Sequence, residues 1–459
     1  MNKIRLTNLP VVALLAACGG AACFNGQAAA QDVVGAAGAN MEYLGPVLPD
    51  QPEAPRSRTE NAKPEAVAAP ANAESRDWFG GKPWTQWEKA FGDIGGVRTE
   101  LAKVGLAFNM SYTMDWQGVW SGGVNNRAST RHLLDVNLDW DLSKVGLNGG
   151  RAFAAYNWAD GRAMVEDLGG DEHLLSGIEA RSLSQLAQLW YQQSFFDDRL
   201  RIKLGKIDVN SEFGFVNAAS EFLTGDSGLS PTFFFFPTYP DAAMGAVAFV
   251  YPTDNLYAGF GFFDGSLSAG IRTGGYGPAS LWRGDEYFYV GEAGLTWETL
   301  GALGGGRLAA GAFYHTGSFA TFAGGSDNGT GGFYAILEQQ LIATNTDDAS
   351  RGLFAYIRGG TADEDVSLTA WSVGGGLSLR GTFPGRDSDS VSGLFSVAGT
   401  SNVAGSPADR DEMVFEVNYR AQLTPWFSIR PTLQYLMNPG GRSAIDDAVV
   451  GGARFEVRF

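Results

Sequence analysis

The feature that most constrains this sequence is an alternation of apolar and polar residues with a period of two, which starts at Leu106. In residues 134–142, leucine, valine and tryptophan share one parity, and aspartate or asparagine fill the other. The same alternation recurs in residues 108–117, 287–298, 413–423, 427–435 and 449–459. Successive side chains of a β-strand point to opposite faces of its sheet, so the pattern predicts strands with one apolar face.

Such strands occur both in soluble sandwiches and in membrane barrels. A sandwich has to cover its apolar face with a second sheet. In this chain the apolar face carries aromatic residues near strand ends, such as Trp116, Trp140 and Trp297, as the interfacial girdles of membrane barrels do. We therefore predict an all-β fold, a transmembrane antiparallel β-barrel whose polar face lines the lumen.

The number of predicted strands is about sixteen, each near the roughly 9–11 residues that a tilted strand needs to cross a membrane. A barrel of that size encloses an aqueous channel instead of a packed core. The predicted strands begin near Ala107, Arg131, Arg151, Gln185, Arg199, Ala243, Asn255, Glu286, Arg307, Gly332, Arg351, Ser367, Val391, Glu412, Trp426 and Ala448.

Residues 1–30 have the layout of a secretory signal peptide. Lys3 and Arg5 precede an apolar run at residues 9–17, and three alanines at residues 28–30 resemble a small-residue cleavage site. The alternative is lipoprotein cleavage, after which Cys18 would be acylated. We favour the cut near Ala30 because a spanning barrel gains little from an acyl anchor. That cut also removes Cys23 and leaves a mature chain without cysteine.

Two further regions precede the barrel, which is predicted over residues 106–459. Residues 31–76 are rich in Ala, Pro and Glu, a composition typical of an extended, disordered linker. In residues 77–105, Val97, Leu101 and Val104 recur at helical spacing before Gly105, which predicts one short helix. The linker also suggests a structural hypothesis, in which it tethers the outer membrane, for example to peptidoglycan.

Long polar intervals separate some of the predicted strands, at residues 160–184, 210–241 and 264–285. Outer-membrane barrels pair short periplasmic turns with longer outer loops, so we predict that these intervals are outer loops. One of them could fold inward and narrow the pore. Phe233–Phe236 is a run of aromatic residues in the second interval, and we interpret it as loop packing or membrane-edge anchoring in preference to sugar contact.

The chain is acidic, with a formal net charge of −17 and a pI near 4.6, which argues against nucleic-acid binding. We attribute the acidity to solvated loops; an acidic pore or divalent-ion contacts to lipopolysaccharide are the alternatives. Enzyme activity is not expected. His132, His173 and His315 lack metal-ligand spacing, and we recognise no catalytic set, cofactor motif or metal site.

A set of residues in the C-terminal part carries a family resemblance: Glu416, Tyr419, Trp426, Pro431, Gln434, Tyr435 and the Asn-Pro-Gly-Gly sequence of residues 438–441. Upstream, residues 95–101 followed by Gly105, residues 204–210, Ser230-Pro231 and Tyr239-Pro240 fit the same pattern. From about Trp84 to Phe459, the chain resembles the OprB-type carbohydrate-selective porins.

The resemblance implies an outer-membrane barrel of a Gram-negative-type bacterium that conducts monosaccharides, glucose-like sugars in particular, down their gradient. It also implies that the barrel assembly machinery recognises Phe459. We expect contacts with carbohydrate solutes, outer-membrane lipid and lipopolysaccharide, and either a monomer or a homo-oligomer. A general or cation-preferring porin without sugar selectivity is the alternative, motivated by the net charge of −17.

Inward parity selects candidate pore and sugar-contact residues. A sugar is held by flat aromatic faces and by side chains that bond pairs of hydroxyl groups, but weakly enough for conduction. Residues 206–212 continue the parity of the apolar residues Leu200, Ile202 and Leu204, so we predict a bulge near Gly205 that re-aims the chain. The candidates are Asp135, Asn137, Arg151, Asn157, Lys206, Asp208, Asn210, Glu212, Glu292, Glu416, Arg430 and Gln434.

Overall fold

The chain forms a closed antiparallel barrel of sixteen strands, which confirms the predicted fold class. This computed structural model describes residues 83–225, 228–233, 235–266, 277–282, 284, 286–343, 350–381 and 383–459. The predicted signal peptide and linker lie outside the described residues. The strands are β1 (Leu106–Gly123), β2 (Ala128–Asp141), β3 (Gly150–Gly161), β4 (Leu183–Phe195), β5 (Leu200–Ile207), β6 (Ala243–Val250), β7 (Leu256–Asp264), β8 (Tyr287–Trp297), β9 (Gly306–Ala320), β10 (Ser326–Ala343), β11 (Gly352–Thr361), β12 (Thr369–Arg380), β13 (Ser390–Thr400), β14 (Glu412–Thr424), β15 (Phe427–Met437) and β16 (Asp446–Arg458).

Strand β1 pairs with both β2 and β16, so the sheet has no free edge. Closure lets every strand satisfy its backbone N–H and C=O groups within the lipid bilayer. Strand β1 begins, and β16 ends, at the same end of the barrel. The connections at that end include the short turns between β4 and β5 and between β14 and β15. In outer-membrane barrels the end with short turns faces the periplasm, and the longer segments lie at the outer end.

All of the predicted strand windows correspond to observed strands. The largest difference is at β10, which was predicted near Gly332 and begins at Ser326. Gly329 and Gly331 also lie in this stretch, and glycine hides the alternation on which the prediction depends. The predicted bulge near Gly205 is wrong, because the pairings of β5 with β4 and β6 pass through Gly205 without a register shift. The chain instead leaves the strand after Ile207.

The outward face of the barrel carries exposed aromatic side chains near both ends of the strands. Trp120, Trp158 and Trp371 are exposed towards the outer end, and Trp140 and Phe195 are exposed towards the periplasmic end. Aromatic rings at these two levels match the interfacial girdles of membrane barrels.

The helix predicted before the barrel is observed as α1 (Val97–Lys103). The residues that precede it cross the periplasmic end of the barrel, where the rings of Trp84 and Trp426 lie 4.2 Å apart. Among the described residues, no helix has the length and the apolar character needed to cross a membrane. The other helices of the described part are α2 (Val165–Leu168) and the 3-10 helices Trp84–Gln86, Leu142–Val145, Val209–Ser211, Asn217–Ala219, Gly277–Trp282 and Pro439–Gly441.

Candidate functional site: the narrowed lumen

Two connections at the outer end fold into the lumen. The first inward segment is residues 162–182, between β3 and β4, and the second inward segment is residues 208–242, between β5 and β6. Among the described residues of the second inward segment, all are buried or half-buried except Asn217. The segments meet where Gly177 N donates to Leu223 O at 2.7 Å. Two of the predicted outer loops therefore narrow the lumen together, where the sequence suggested one.

Wall carboxylates hold the second inward segment by accepting its backbone N–H groups. A buried segment with little regular structure must find acceptors for these groups elsewhere, and bonds to ionised acceptors are the strong ones. The acceptors belong to β8 and β10, which flank β9, and to β14, four strands further around the barrel. The attachments are Glu292 to Gly214 (2.9 Å), Glu338 to Ala218 (2.8 Å), and Glu416 to Leu223 (2.8 Å) and Thr224 (3.0 Å).

The second inward segment also presents carboxylates to basic side chains of the wall. Glu212 contacts both Arg201, at 2.7 Å, and Lys203. Burial alone would raise the pKa of Glu212, but these two cations hold the pKa below its usual value. The carboxylate is therefore ionised, and it fixes the start of the segment against β5.

Glu221 anchors the middle of the same segment to three arginines of β12, β14 and β15. The closest nitrogen–oxygen distances are 3.3 Å to Arg420, 3.6 Å to Arg380 and 3.9 Å to Arg430. Burial opposes ionisation, but the three guanidinium groups lower the pKa of Glu221 to about 2. Glu221 consequently stays charged at any pH that the barrel meets in a cell envelope.

The first inward segment is attached to β1, β2, β14 and β15 by the same kinds of contact. Burial and the nearby Glu412 carboxylate raise the pKa of Glu172 to about 7. The attachments are Ser176 to Asp115 (2.6 Å), Glu179 to Arg131 (3.3 Å), His173 to Glu412 (2.8 Å) and Leu175 O to Gln434 (2.8 Å).

The aromatic run of the second inward segment packs inside the barrel. The rings of Phe233 and Phe236 are stacked 4.2 Å apart, and Tyr334 and Phe313 lie edge-on to them at 5.0 and 5.1 Å. Both phenylalanines are buried. Their contacts agree with the loop packing expected from the sequence, and Phe234 lies outside the described residues.

A small set of side chains stays partly accessible from the lumen beside the second inward segment. Arg380 Nη2 lies 3.4 Å from both Asn217 O and Ser220 Oγ, and its guanidinium lies 4.7 Å from the centroid of the Phe354 ring. Arg420 of β14 is also partly accessible, with 20% of its side chain exposed. We call Asn217, Ser220, Phe354, Arg380 and Arg420 the lumen group.

The model of the carbohydrate-selective porin, OprB family, matches residues 125–459. The chain belongs to this family. Porin B of Pseudomonas aeruginosa is 24% identical over 433 residues, which cover 82% of this chain and 92% of that protein. The high-pH structure of Pseudomonas putida OprB gives a TM-score of 0.75 at 21% identity, over 82% of this chain and 100% of that one. The low-pH structure gives 0.56 at 18% identity, over 82% of this chain and 99% of that one.

The family match confirms the resemblance read from the C-terminal motifs, and the structural likeness supports the barrel fold. Membership in the OprB family, together with the closed barrel, indicates a channel and not an enzyme. It also implies the outer membrane of a Gram-negative bacterium, which a barrel crosses many times.

In this OprB-family chain, four of the predicted contact residues bond within the wall of β2 and β3. Asp135 accepts from Asn137 Nδ2 at 2.7 Å and from Asn157 Nδ2 at 2.8 Å. Arg151 forms a two-pronged ion pair with Asp139, at 2.8 and 2.6 Å. Their role as sugar contacts stays a prediction.

Five other predicted residues, Glu212, Glu292, Glu416, Arg430 and Gln434, contact the inward segments through the attachments given above. These contacts show that they position the narrowing of the lumen. Direct contact with sugar stays a prediction for them as well.

The last three predicted residues lie where the second inward segment begins. Lys206 Nζ donates to Leu186 O at 2.7 Å, and Asn210 Nδ2 donates to Phe213 O at 3.0 Å. Asp208 caps a 3-10 turn, and burial raises its pKa to about 6. The shared strand parity that we predicted for residues 206–212 is wrong, because the strand has ended at residue 207.

We did not select Arg201, Lys203, Arg380 or Glu221 from the sequence. The first two alternate with Leu200, Ile202 and Leu204, so strand parity does carry a signal for them. Arg380 likewise shares a parity with the buried Ser378 on β12. Glu221 had no such signal, because it lies in a segment without a period.

Proposed function

We propose that this chain is a passive diffusion channel for carbohydrates and that glucose-like monosaccharides are its main solutes. The observation that carries this proposal is the lumen group. A pyranose offers apolar C–H surface next to closely spaced hydroxyl groups. The lumen group places the Phe354 ring beside the guanidinium group of Arg380, and Arg420 shares the carboxylate of Glu221 with Arg380. Each guanidinium group is a planar array of five N–H donors.

The surroundings of the lumen group favour weak, rapid binding. Arg380 is held by the Phe354 ring, by Glu221 and by the second inward segment, so little side-chain freedom is lost when a solute arrives. Its donors are already shared with protein acceptors, which limits the energy that a hydroxyl group gains. A channel conducts only if its sites release the solute as readily as they accept it.

The test is uptake into proteoliposomes that contain the refolded mature protein. We expect glucose to enter faster than an amino acid of matched size, and we expect other sugars to slow glucose entry by competition. Equal entry of glucose and the amino acid would reject carbohydrate selectivity and leave a general porin.

The role of the lumen group is tested by Phe354→Ala, which should reduce glucose entry and leave amino-acid entry little changed. Phe333→Ala is the matched control, because Phe333 is exposed on the outward face of the barrel. A Phe354 variant that transports glucose like the unmodified protein would remove Phe354 from the proposed site.

We also propose the partners that the family resemblance implies. Phe459 lies at the periplasmic end, where its ring lies 4.9 Å from that of Phe91. Recognition of Phe459 by the assembly machinery would be tested by Phe459→Ala, which should lower the amount of folded barrel in the outer membrane. Contacts with lipopolysaccharide and assembly into oligomers stay predictions.

A further inference from the structure

We propose that the lumen favours anionic carbohydrates, sugars that carry one carboxylate, over neutral and cationic sugars of the same size. The proposal rests on the proposed function and narrows its substrate class. The net charge of −17 would by itself suggest the opposite, a preference for cations.

The first observation is that, in the lumen ion pairs that have an accessible member, the guanidinium group is that member; the pairs Arg131–Glu179 and Arg430–Glu221 are buried on both sides. The side chains of Arg380 and Arg420 are 21% and 20% exposed, whereas Glu221, which both contact, is 5% exposed. On the other side of the barrel, Arg151 is 18% exposed and its partner Asp139 is 8% exposed. At these pairs a solute in the lumen therefore meets N–H donors that carry positive charge, while the paired carboxylates face the protein.

Two ion pairs of the first inward segment, at the outer entrance, show the same asymmetry. Arg162 is 36% exposed and its partner Asp167 is fully buried. Arg181 pairs with Asp241 of the second inward segment; the side chain of Arg181 is 18% exposed and that of Asp241 is 7% exposed. Accessible guanidinium groups thus lie above the narrowing as well as below it, and at the entrance they stand near the exposed carboxylate of Glu166.

A second, independent observation lies at the periplasmic exit. Lys89 Nζ donates to Asn109 Oδ1 at 2.5 Å, and Asn109 in turn donates to Asn137 of the lumen wall at 3.1 Å. Burial, and then the like charges of Arg98 and Arg458, lower the pKa of Lys89 to about 8. Cations that depress the pKa of a neighbouring cation mark a concentration of positive potential.

The acidic net charge does not cancel this potential inside the channel. Exposed carboxylates such as Asp197, Asp254 and Asp446 lie in connections or at strand ends, where bulk water and salt screen them. A narrow lumen with walls of low dielectric constant focuses the field of the charges that line it. A carboxylated sugar therefore experiences the arginines of the lumen more strongly than the carboxylates at the barrel ends.

The test compares three pyranoses of similar size: glucuronate, glucose and glucosamine, which carry negative, zero and positive charge. Uptake is measured in proteoliposomes at low ionic strength, with the membrane potential clamped by potassium and valinomycin. We expect glucuronate to enter roughly tenfold faster than glucose, the lower end of what an oppositely charged cleft adds to capture rates, and glucosamine to enter slowest. High salt should compress these differences.

Variants separate the charge from the geometry of the guanidinium groups. Arg380→Gln with Arg420→Gln should abolish the preference for glucuronate, whereas Arg380→Lys with Arg420→Lys should retain much of it. Arg199→Gln is the matched control, because Arg199 is an exposed arginine of the turn between β4 and β5 that pairs with Asp254. This control should transport all three solutes like the unmodified protein.

Glucuronate entry no faster than glucose entry would overturn the inference. If glucose still entered faster than the size-matched amino acid, the proposed sugar channel would survive that result. The zero-current potential in a potassium chloride gradient tests the inference without any sugar: we expect selectivity for chloride, and selectivity for potassium would overturn it even if every sugar uptake assay failed.

Discussion

Glu416 should hold the second inward segment in place, so its removal should widen the channel. Its carboxylate accepts the backbone N–H groups of Leu223 at 2.8 Å and Thr224 at 3.0 Å, and side-chain amides of Asn418 at 2.8 Å and Gln434 at 3.0 Å. In Glu416→Ala, both backbone donors lose their acceptor while they remain buried. An unsatisfied buried donor costs roughly 1–3 kcal/mol, so the attached conformation loses about 2–6 kcal/mol.

A loss of about 3 kcal/mol shifts the ratio of attached to displaced conformations more than a hundredfold, because each 1.4 kcal/mol corresponds to a factor of ten. The attachments through Glu292 and Glu338 remain, so we expect local displacement of the segment and not unfolding of the barrel. Single-channel conductance in planar bilayers should become larger and noisier. Liposome swelling should show entry of the trisaccharide raffinose, which the unmodified channel should pass poorly.

Two variants control this experiment. Glu416→Gln keeps one carbonyl acceptor, so its conductance should lie between those of the alanine variant and the unmodified protein. Asp135→Ala removes a lumen carboxylate that bonds only wall amides in the contacts given above, so the size limit should not change. If Glu416→Ala keeps both the conductance and the exclusion of raffinose, Glu416 does not hold the second inward segment in place. A raised glucose saturation constant in that case would make Glu416 the sugar contact predicted from the sequence.

Two more predictions concern the first inward segment, and thermal unfolding followed by circular dichroism tests both. Because the pKa of Glu172 is raised from 4.5 to about 7, protonated Glu172 stabilises the fold below pH 4.5, and this contribution is lost as the pH rises through 7. Glu172→Gln should therefore unfold at a higher temperature than the unmodified protein at pH 8 and at the same temperature at pH 4; equal values at both would count against a raised pKa. At Gly170 (φ +156°), an added Cβ would lie 2.3 Å from Gly440 Cα, whereas at Gly385 (φ +72°) it would meet nothing within 4 Å. Gly170→Ala should thus lower the unfolding temperature more than Gly385→Ala, and equal shifts would contradict close packing of the two backbones.

The barrel could be predicted from the sequence because each strand separates lipid from water along its length. Apolar side chains must therefore alternate with polar side chains along the strand, as they do in residues 134–141 of β2. The prediction was weakest at β10, where Gly329, Gly331 and Gly332 carry no side chain to report which face they occupy. A strand can thus be predicted from the alternation only where enough of its residues carry clearly apolar or clearly polar side chains.

The narrowed lumen was harder to predict, because parity tells which residues face inward but not what they contact there. Glu292 and Glu416 were selected correctly as inward residues. Their partners, however, are backbone N–H groups of residues 214, 223 and 224, and a backbone donor is the same in every residue type except proline. The long-range pairing of Glu221 with three arginines was invisible for a related reason, since Glu221 lies in a stretch that follows no period.

The way in which the inward segments are held also bears on the sign of the charge in the channel. Segments with little regular structure have many buried N–H groups, and an ionised carboxylate is the side chain that accepts several of them at once. Glu292, Glu338 and Glu416 therefore turn their oxygens towards the second inward segment and away from water. Arginine has only donors, and its planar group can bond a carboxylate along one edge while another edge stays in water. A lumen whose loops are attached through wall carboxylates should consequently present positive charge to its solute, whatever the net charge of the chain.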